Sequence, residues 1–598
     1  MKADILRERF LAFFKARKHK VVESDSLVPR DDPTVLFTPA GMNQFKKEFL
    51  GLVSDFRRAV SSQRCLRTGD LENVGRTVGH HTFFEMLGNF SFGDYFKEEA
   101  IAWAWEFLTE ELKIPQERLW VSVYKNDQEA YRIWKENIHV LEQKIIKLGD
   151  KENFWPSEAK EKGPNGPCGP CSEVFVDQGS SFGCGKSDCT PACDCGRFLE
   201  VWNLVFTQFN RKEGGVLEPL PQKNIDTGMG LERLAAVMQG VANNFETDLF
   251  KSLVDEISLQ CINVKASENK ALVYAVADHI RAVVFSIYDG VLPSNEERGY
   301  VVRKLIRKST LHLKKLGFKQ PFLYKLVAAL SEIMRKPYPE LIERRENIAE
   351  IILIEEKNFI STLNSSQRLF QDSGFINDDA AGTAHKAFQL YDTYGIPLEL
   401  TKEWLDKQGI DFSREIFDKD LKEQRTRSKA GSSMKGDVFD IKELHLGTKK
   451  TTFLGYKKLQ VKAKILRIVQ ENGQVKKISK GHKARIILDK TPFYGESGGQ
   501  AGDSGKIETS SGVMHVEVAK KMGDSIVHIG KVVKGKILAG DEASAHIDVD
   551  SRRSVMANHT ATHLLHAALR KVLGEHVHQM GSLVDKDHLR FDFTHMKK

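Results

Sequence analysis

A multidomain α+β protein with a small β-barrel behind a helical middle is the fold class this sequence predicts. Three observations lead there. At 598 residues the chain exceeds the ~250 to 300 residues at which a single hydrophobic core stops growing, so three or more domains are expected. Its 41% hydrophobic and 28% charged content is that of a globular protein, with no run near the ~18 uninterrupted apolar residues a membrane helix requires. The hydrophobic pattern changes period along the chain, from mixed to helical to alternating.

The opening "MKADILRERFLAFFKARKHK" spaces Ile5, Phe10, Leu11, Phe13 and Phe14 among charges, as an amphipathic helix does and a signal peptide does not. Residues 1–245 then mix apolar runs such as "VLFT", "LWVSVY" and "EVFVD" with the helical "EEAIAWAWEFLTEEL". Residues 246–437 turn helical, most clearly in "AEIILIEEKNFISTLNSSQRLFQ", and close in a polar linker, "KEQRTRSKAGSSMKGD". Residues 438–550 alternate in "LQVKAKILRIV", "KARIILD" and "MHVEVAKK", with glycine-rich turns between, which predicts the barrel. Helical character returns in 551–598.

The net charge of +8 favours a polyanionic partner only slightly; its distribution says more. Arg298 to Lys319 holds eight basic residues and no acidic one, and helical spacing aligns Arg303 with Arg307 and Lys304 with Lys308. Such a face suits a phosphate backbone or is simply a solvated helix surface. Six of the eight cysteines, Cys168 to Cys195, fall in one Gly/Pro-rich stretch; in a chain read as cytoplasmic this argues for a metal or local structure rather than a disulfide framework.

Two stretches carry candidate chemistry. "RCLRTGDLENVGRTVGHHTFFEMLGNFSFGDYF", Arg64 to Phe96, combines arginine, paired histidines and phenylalanines beside glycine. That mixture holds a purine on an aromatic face with a cation at its phosphates, or builds an aromatic core around a hairpin. "NIDTGMGLERL", Asn224 to Leu234, fails as a dinucleotide fingerprint because Arg233 stands at the third glycine position. Glycines admitting a ligand to the backbone, then an arginine on the first helical turn, still suit nucleotide phosphates.

Together these stretches resemble motifs 2 and 3 of class II aminoacyl-tRNA synthetases, specifically the alanyl-tRNA synthetase family. "LFTPAGMNQFK", "GPNGPCGPCSE", "EVWNLVFTQFNR", "DGVLPSNEERGYVVRKLIR", "LYDTYGIP", "TPFYGESGGQAGD" and "NHTATHLLHAALR" match the family in its order along the whole chain. The resemblance implies an antiparallel-sheet catalytic domain in 1–245, a helical tRNA acceptor-stem domain in 246–437, and an editing region in 438–598, of which 551–598 begins an α/β core. It implies ATP-dependent joining of alanine to tRNA(Ala), with Mg²⁺ beside ATP. By the same resemblance, Arg67 clamps the α-phosphate and the alanine carboxylate and Arg233 the γ-phosphate. Phe84 stacks on adenine, and Gly228 and Gly230 let the backbone approach ATP. Asp226 takes the substrate ammonium, Asn203 and Trp155 complete the alanine site, and Met86 and Val205 shape the methyl pocket. Asn295 and Asp392 match the residues read against the G·U pair of the acceptor stem, with Arg303 and Arg307 supplying affinity. Without the resemblance, Asp226 reads as a helix N-cap and Met86 as filler.

A pocket for one methyl group discriminates a substrate differing by one methylene or hydroxyl by only ~1 to 3 kcal/mol, so the family adds a hydrolytic site. His559 and His563, at i and i+4, face one side of a helix and suit one Zn²⁺; Gln579, Ser582 and "GESGGQ" (495–500) match positions around the editing pocket. The resemblance puts the remaining zinc ligands, a cysteine and a histidine, beyond "RFDFTH", so the editing site is expected to be incomplete in this chain. The family's C-terminal oligomerisation region is likewise expected to be absent.

The chain departs from the family at "RTGDLENVG", which lacks four residues, a lysine and a histidine among them, and at Gly79, where an arginine or aromatic is common. Arg76 or Lys46 is the candidate substitute for the missing charge. Cys184, Cys189, Cys193 and Cys195 supply either a four-thiolate zinc site or a reduced, stiffened loop, and the lack of Cys-x-x-Cys pairs favours the loop. Cys168 and Cys171 do form such a pair but are expected to shape the substrate loop. The rival readings are a catalytically impaired tRNA-binding relative, for which the shortened loop speaks, and a free-standing hydrolase, against which the half-built zinc site speaks.

Overall fold

A computed structural model describes the chain except residues 30–34, 52–54, 70–73, 76–78, 158, 160, 162–164, 194, 262–266, 373–378, 395, 397, 432–450, 471–472, 523–524, 574–576, 578 and 594–598. It divides into two compact units, Met1–Phe412 and Ser413–Lys598.

The first unit is built on a sheet of nine strands among the described residues: β1 (Lys20–Val21), β2 (Arg58–Leu66), β3 (Phe83–Phe92), β4 (Leu119–Tyr124), β5 (Ile145–Leu148), β6 (Phe154–Trp155), β7 (Gly166–Asp177), β8 (Phe198–Arg211) and β9 (Leu217–Gly230). Their order is β1-β2-β3-β9-β8-β7-β4-β5, with β6 on β7. Only the outer pairs β1–β2 and β4–β5 are parallel. Because side chains alternate between faces, β8 sends Trp202, Leu204 and Phe206 into the core and Val201, Asn203 and Val205 the other way. Trp202 meets Phe10, Phe14 and Phe107 edge-on at 5.7, 6.3 and 5.8 Å. The expected N-terminal helix, Ala3–Ala16, therefore forms because its Phe10 and Phe14 have this aromatic floor to cover.

Helices follow at Ser267–Tyr288, Glu297–Lys315, Glu340–Asp372 and Ala380–Tyr394. Asn269–Tyr288 is long and apolar enough to cross a membrane, yet it is 83% buried and encloses Asp278, His279 and Arg281. Buried polar pairs tie it to the part of the unit that precedes it. Arg281 meets Glu232 at 2.6 Å with both side chains buried, and Asp278 accepts from His81 Nδ1 at 2.9 Å. Arg7 pairs with Glu85, which also accepts from Tyr338 at 3.0 Å.

In the second unit, β11 (Gln460–Gln470), β14 (Lys483–Leu488), β16 (Gly505–Thr509), β17 (Gly512–Met522), β18 (Ser525–Leu538) and β19 (Glu542–Ile547) form a closed ring, β11-β14-β18-β17-β16-β19 and back to β11. Shorter strands β10 (Thr452–Phe453), β12 (Gly473–Val475), β13 (Lys477–Ser479) and β15 (Lys490–Thr491) flank it. Its alternating inward residues, Ile465, Ile486, Leu488, Ile507, Met514, Val516 and Ala545 among them, make one core. A long helix, Val549–Leu573, then leads to the hairpin β20 (Gln579–Val584) and β21 (Leu589–Phe593).

Arg552, at the start of that helix, donates to Asp503 through Nε at 2.8 Å and to the carbonyls of Gly455 and Pro492 at 2.9 Å each, all buried. Removing one partner of a buried pair leaves the other charge uncompensated, at about 3 to 5 kcal/mol. Asp503→Ala is accordingly expected to lower this unit's urea midpoint while leaving the first unit's transition in place, as followed by two-transition denaturation.

Three expectations are corrected. "VLFT" is not a strand: Val35–Thr38 is irregular chain. The polar "linker" begins as helix, since Arg414–Gly431 is one helix; its Lys, Glu, Gln, Arg and Ala are good helix formers even without an apolar face. The linker's end, 432–437, lies outside the described residues. Finally, Arg303 and Arg307 do not stand free on a basic face, because both guanidinium Nε atoms turn to the buried Glu355, at 3.3 and 2.8 Å. The exposed cations of that helix are Lys304, Lys314 and Lys315.

Candidate active site

Strand register assembles the site. Across the sheet Met86 faces Gly230, Asn203 faces Gly228, Val205 and Phe90 both face Asp226, and Glu173 faces Asn203. Period-2 alternation then puts Phe84 and Met86, Asn203 and Val205, and Asp226, Gly228 and Gly230 on one face. With Arg67, Trp155 and Arg233 they line a single cavity of about 630 Å³. Every candidate adenylation residue from the sequence lies in that lining, and Asp226, on β9, is no helix cap.

Glycine is required at two places. A Cβ on Gly228 would sit 2.9 Å from Met86 Sδ, so the bare backbone makes room for the thioether. At Gly79, φ is +89° and a Cβ would lie 3.2 Å from Arg233 Nε. The residue that departs from the family thus gives Arg233 its space and, through its carbonyl, a 3.4 Å acceptor.

The charges are arranged unequally. Arg233, on the first turn of the helix Leu231–Gln239, donates through Nη1 to the Glu200 carboxylate at 2.8 Å and its carbonyl at 3.0 Å. Its neighbour Glu232 faces inward to Arg281 and accepts from the Glu85 N–H, which fixes that turn. Arg67 extends the β2–β3 hairpin, its N–H donating to the Thr82 carbonyl at 2.9 Å. Its Nε donates to the Pro39 carbonyl at 3.1 Å, and its guanidinium lies 5.0 Å from the Phe84 ring centroid and 5.9 Å from that of Trp155. Asp226 is 5% exposed, and its carboxylate has no hydrogen-bond or ion-pair partner among the described residues. Burial alone pushes it up to about 7 from its ordinary 3.8. Burial, and next the Glu200 carboxylate, hold Glu173 well above the usual carboxylate range. Glu173 accepts from Asn203 Nδ2 at 3.0 Å, which leaves Asn203 Oδ1 buried and without a hydrogen-bond partner among the described residues. An unpaired anion beside an unused carbonyl oxygen is a receptor for a small ammonium; two guanidiniums in the same cavity are receptors for phosphate and carboxylate.

Glu173, Glu200 and the His81–Asp278 pair were not singled out from the sequence. Glu173 and Glu200 lie inside quoted strings, but only their partners across the sheet mark them as site residues. Asp70–Asn73 and Arg76–Val78, where the shortened loop falls, lie outside the described residues. Cys168 and Cys171 are buried on β7, where they support the wall rather than line it.

Elsewhere in the first unit, Asn295 and Asp392 are exposed. Asn295 Oδ1 accepts from Arg303 Nη1, and Tyr391, beside Asp392, shares a hydroxyl hydrogen bond with Tyr300 of the helix following Asn295. In the second unit Gln579 Nε2 donates to Ser582 Oγ at 2.9 Å. The 495–500 loop packs on that strand: a Cβ on Gly499 would fall 2.4 Å from the Ser582 carbonyl. His559 and His563 are exposed with their Nε2 atoms 3.2 Å apart. That is close to the ~3.3 Å edge of a tetrahedral Zn–imidazole site with ~2.0 to 2.1 Å bonds. The pair fits one edge of such a site; no third His, Cys, Asp or Glu joins it among the described residues, and His595 lies outside them.

A family model described as tRNA synthetases class II (A) matches residues 5–551. The chain is 47% identical to the alanine–tRNA ligase of Thermotoga maritima and 48% identical to that of Legionella pneumophila (strain Corby), each over 100% of this chain and 69% of the relative. A solved pyrrolysyl tRNA synthetase from Desulfitobacterium hafniense aligns at 12% identity over 41% of this chain and 72% of that one, with a TM-score of 0.23, a likeness too slight to bear on the fold.

Proposed function

The chain belongs to the class II tRNA synthetase family, and from that membership we propose that the cavity of Arg67, Asp226 and Arg233 is where alanine is activated by ATP. The reaction is alanine–tRNA ligation. One observation carries the assignment to this cavity: a buried, unpaired carboxylate on β9 shares it with two guanidiniums brought from different elements.

The alanine ammonium pairs with Asp226 and donates to Asn203 Oδ1, while the methyl group meets Met86 and Val205, with Trp155 closing the pocket. The alanine carboxylate attacks the α-phosphorus of ATP, forming alanyl-adenylate and releasing pyrophosphate. Arg67 sits where it neutralises charge building on the α-phosphate, and its stacking on Phe84 gives adenine an aromatic and cationic seat. Arg233 takes the γ-phosphate in place of Glu200. Mg²⁺, which the family uses with ATP, supplies further charge at the phosphates. Burial, and next the Glu200 carboxylate, favour the uncharged form of Glu173, and Asp226 is the carboxylate that meets the ammonium. The assignment is tested by alanine-dependent pyrophosphate exchange into ATP; no exchange in folded protein would favour the impaired tRNA-binding relative instead.

We assign 246–437 to the tRNA acceptor stem and 438–598 to the editing region, with a cytoplasmic site of action. Asp392 accepts and Asn295 Nδ2 donates in the shallow minor groove of an RNA helix, and Lys304, Lys314 and Lys315 face its phosphates. Asp392→Ala is expected to reduce alanylation of tRNA by about 5- to 150-fold, the worth of ~1 to 3 kcal/mol of base discrimination, with exchange unchanged. Steady-state charging and exchange on one preparation check this, and equal loss of both would refute the separation. Gln579 and Ser582, against the glycine-rich loop, are assigned to the editing pocket, and His559 and His563 to two ligand positions of a Zn²⁺ there.

A further inference from the structure

The connection between β7 and β8 gathers four thiols that the adenylation reaction does not use. Cys184, Cys189, Cys193 and Cys195 place their sulfurs all within 4.8 Å of one another. Cys189 to Cys195 is 3.4 Å and Cys184 to Cys193 is 3.8 Å. A disulfide needs ~2.05 Å, so these are four separate thiols. Zinc bound to four thiolates at ~2.3 Å sets its sulfurs ~3.8 Å apart, and the observed cluster needs almost no rearrangement to reach that.

The base of the loop is already shut. Arg197 Nε and Nη2 grip the Asp177 carboxylate at 2.8 and 2.6 Å, and the Gln178 N–H donates to the Arg197 carbonyl at 2.9 Å. Cys189 is buried against Phe175 and Phe198, which anchors one ligand to the sheet, whereas Cys184 is exposed. Two residues between the second and third cysteines, Pro191 and Ala192, line the adenylation cavity.

We infer that Cys184, Cys189, Cys193 and Cys195 bind one zinc ion, and that this ion holds the Pro191–Ala192 wall of the substrate cavity in place. The sequence spacing, four residues, then three, then one between ligands, lacks the usual knuckles, but the fold brings the sulfurs together without them. Without the ion, four thiols remain on a loop rich in Gly and Pro whose only buried side-chain anchor among these cysteines is Cys189, and the wall loses its fixed position. The role at the wall rests on the adenylation reading of the cavity; the metal site does not.

The test is metal analysis of the full chain purified without chelator, followed by cobalt replacement and pyrophosphate exchange. About one thiolate-bound zinc per chain is expected, whatever the histidine pair holds, with thiolate-to-cobalt charge transfer and tetrahedral visible bands after replacement. Cys184→Ser, at the exposed ligand, should lose the zinc and keep its circular dichroism. It should also raise KM for ATP or alanine about tenfold, with kcat little changed, as mispositioning of a binding wall does. The double variant His559→Ala with His563→Ala should keep the thiolate-bound metal. Wild type carrying no zinc, or iron in its place, overturns the site, as does zinc lost with the histidines and kept with Cys184→Ser. Zinc lost from Cys184→Ser with both KM values unchanged overturns the role at the wall. Absence of exchange in zinc-loaded wild type would count against the adenylation reading alone.

Discussion

Asp226→Asn is expected to stop alanine activation and, at the same time, to make the protein more stable. The carboxylate is buried and unpaired until an ammonium arrives. Deleting one partner of a buried charge pair costs about 2 to 5 kcal/mol in binding, so kcat/KM for alanine in pyrophosphate exchange should fall by roughly 30- to 5,000-fold. Stability moves the other way. An acid whose folded pKa, here about 7, stands above its unfolded 3.8 withdraws stability as pH rises between those values, and the whole penalty is present above about 7. A shift of this size is worth about 4 kcal/mol. Thermal unfolding at pH 8 should therefore show the Asp226→Asn protein melting higher than wild type, with the difference vanishing near pH 4. In the wild type, alanine must compete with a proton, so its KM should rise as pH falls below about 7. A variant equally inactive but less stable at pH 8 would mean that Asp226 is structural.

Arg67→Ala should reduce exchange by about 10²- to 10³-fold, the loss found when one donor to a developing oxyanion is removed. The fold should hold, since Arg67 is half-buried and, among the described residues, its side chain makes a single hydrogen bond, to the Pro39 carbonyl. Lysine should rescue little. An ammonium brings the charge, but it cannot hold the Pro39 carbonyl through Nε beside Phe84 and clamp two oxygens at once. Arg233→Ala should act instead mainly through KM for ATP, because its guanidinium already has Glu200 as a partner and trades it for phosphate. Both are read from exchange kinetics at saturating alanine. A lysine variant with wild-type kcat would reduce Arg67 to a source of charge.

The candidate residues of this site were singled out by the family resemblance, not by spacing; in the structure Phe84 and Met86, Asn203 and Val205, and Asp226 and Gly228 each fall two apart on one face and line one cavity. Register was not legible. That Met86 opposes Gly230, or that Glu173 opposes Asn203, depends on pairing between strands more than a hundred residues apart in one case, and no local signal carries it. For the same reason Glu200 was not seen as the resting partner of Arg233. The spacing of Arg303 and Arg307 correctly put them on one side of a helix but could not say that the side faces Glu355. The four cysteines were discounted because their intervals match no familiar pattern, yet metal ligation depends on where sulfurs meet in space. The helix Arg414–Gly431 was hidden by its lack of an apolar stripe, although its residues favour helix individually.

The pairs Arg281–Glu232, Asp278–His81 and Tyr338–Glu85 all cross residue 245, the point at which the sequence suggested one domain ends. A protein cut there would leave Glu232 without Arg281 and His81 without Asp278, while Glu85 would keep Arg7 and lose Tyr338; Glu232 adjoins Arg233, which lines the candidate cavity. A substitution deep in the helix Ser267–Tyr288, at Arg281 for example, is thus expected to disturb the turn that carries Arg233. Inherited or engineered changes that seem confined to the residues beyond 245 should be judged by their effect on pyrophosphate exchange as well.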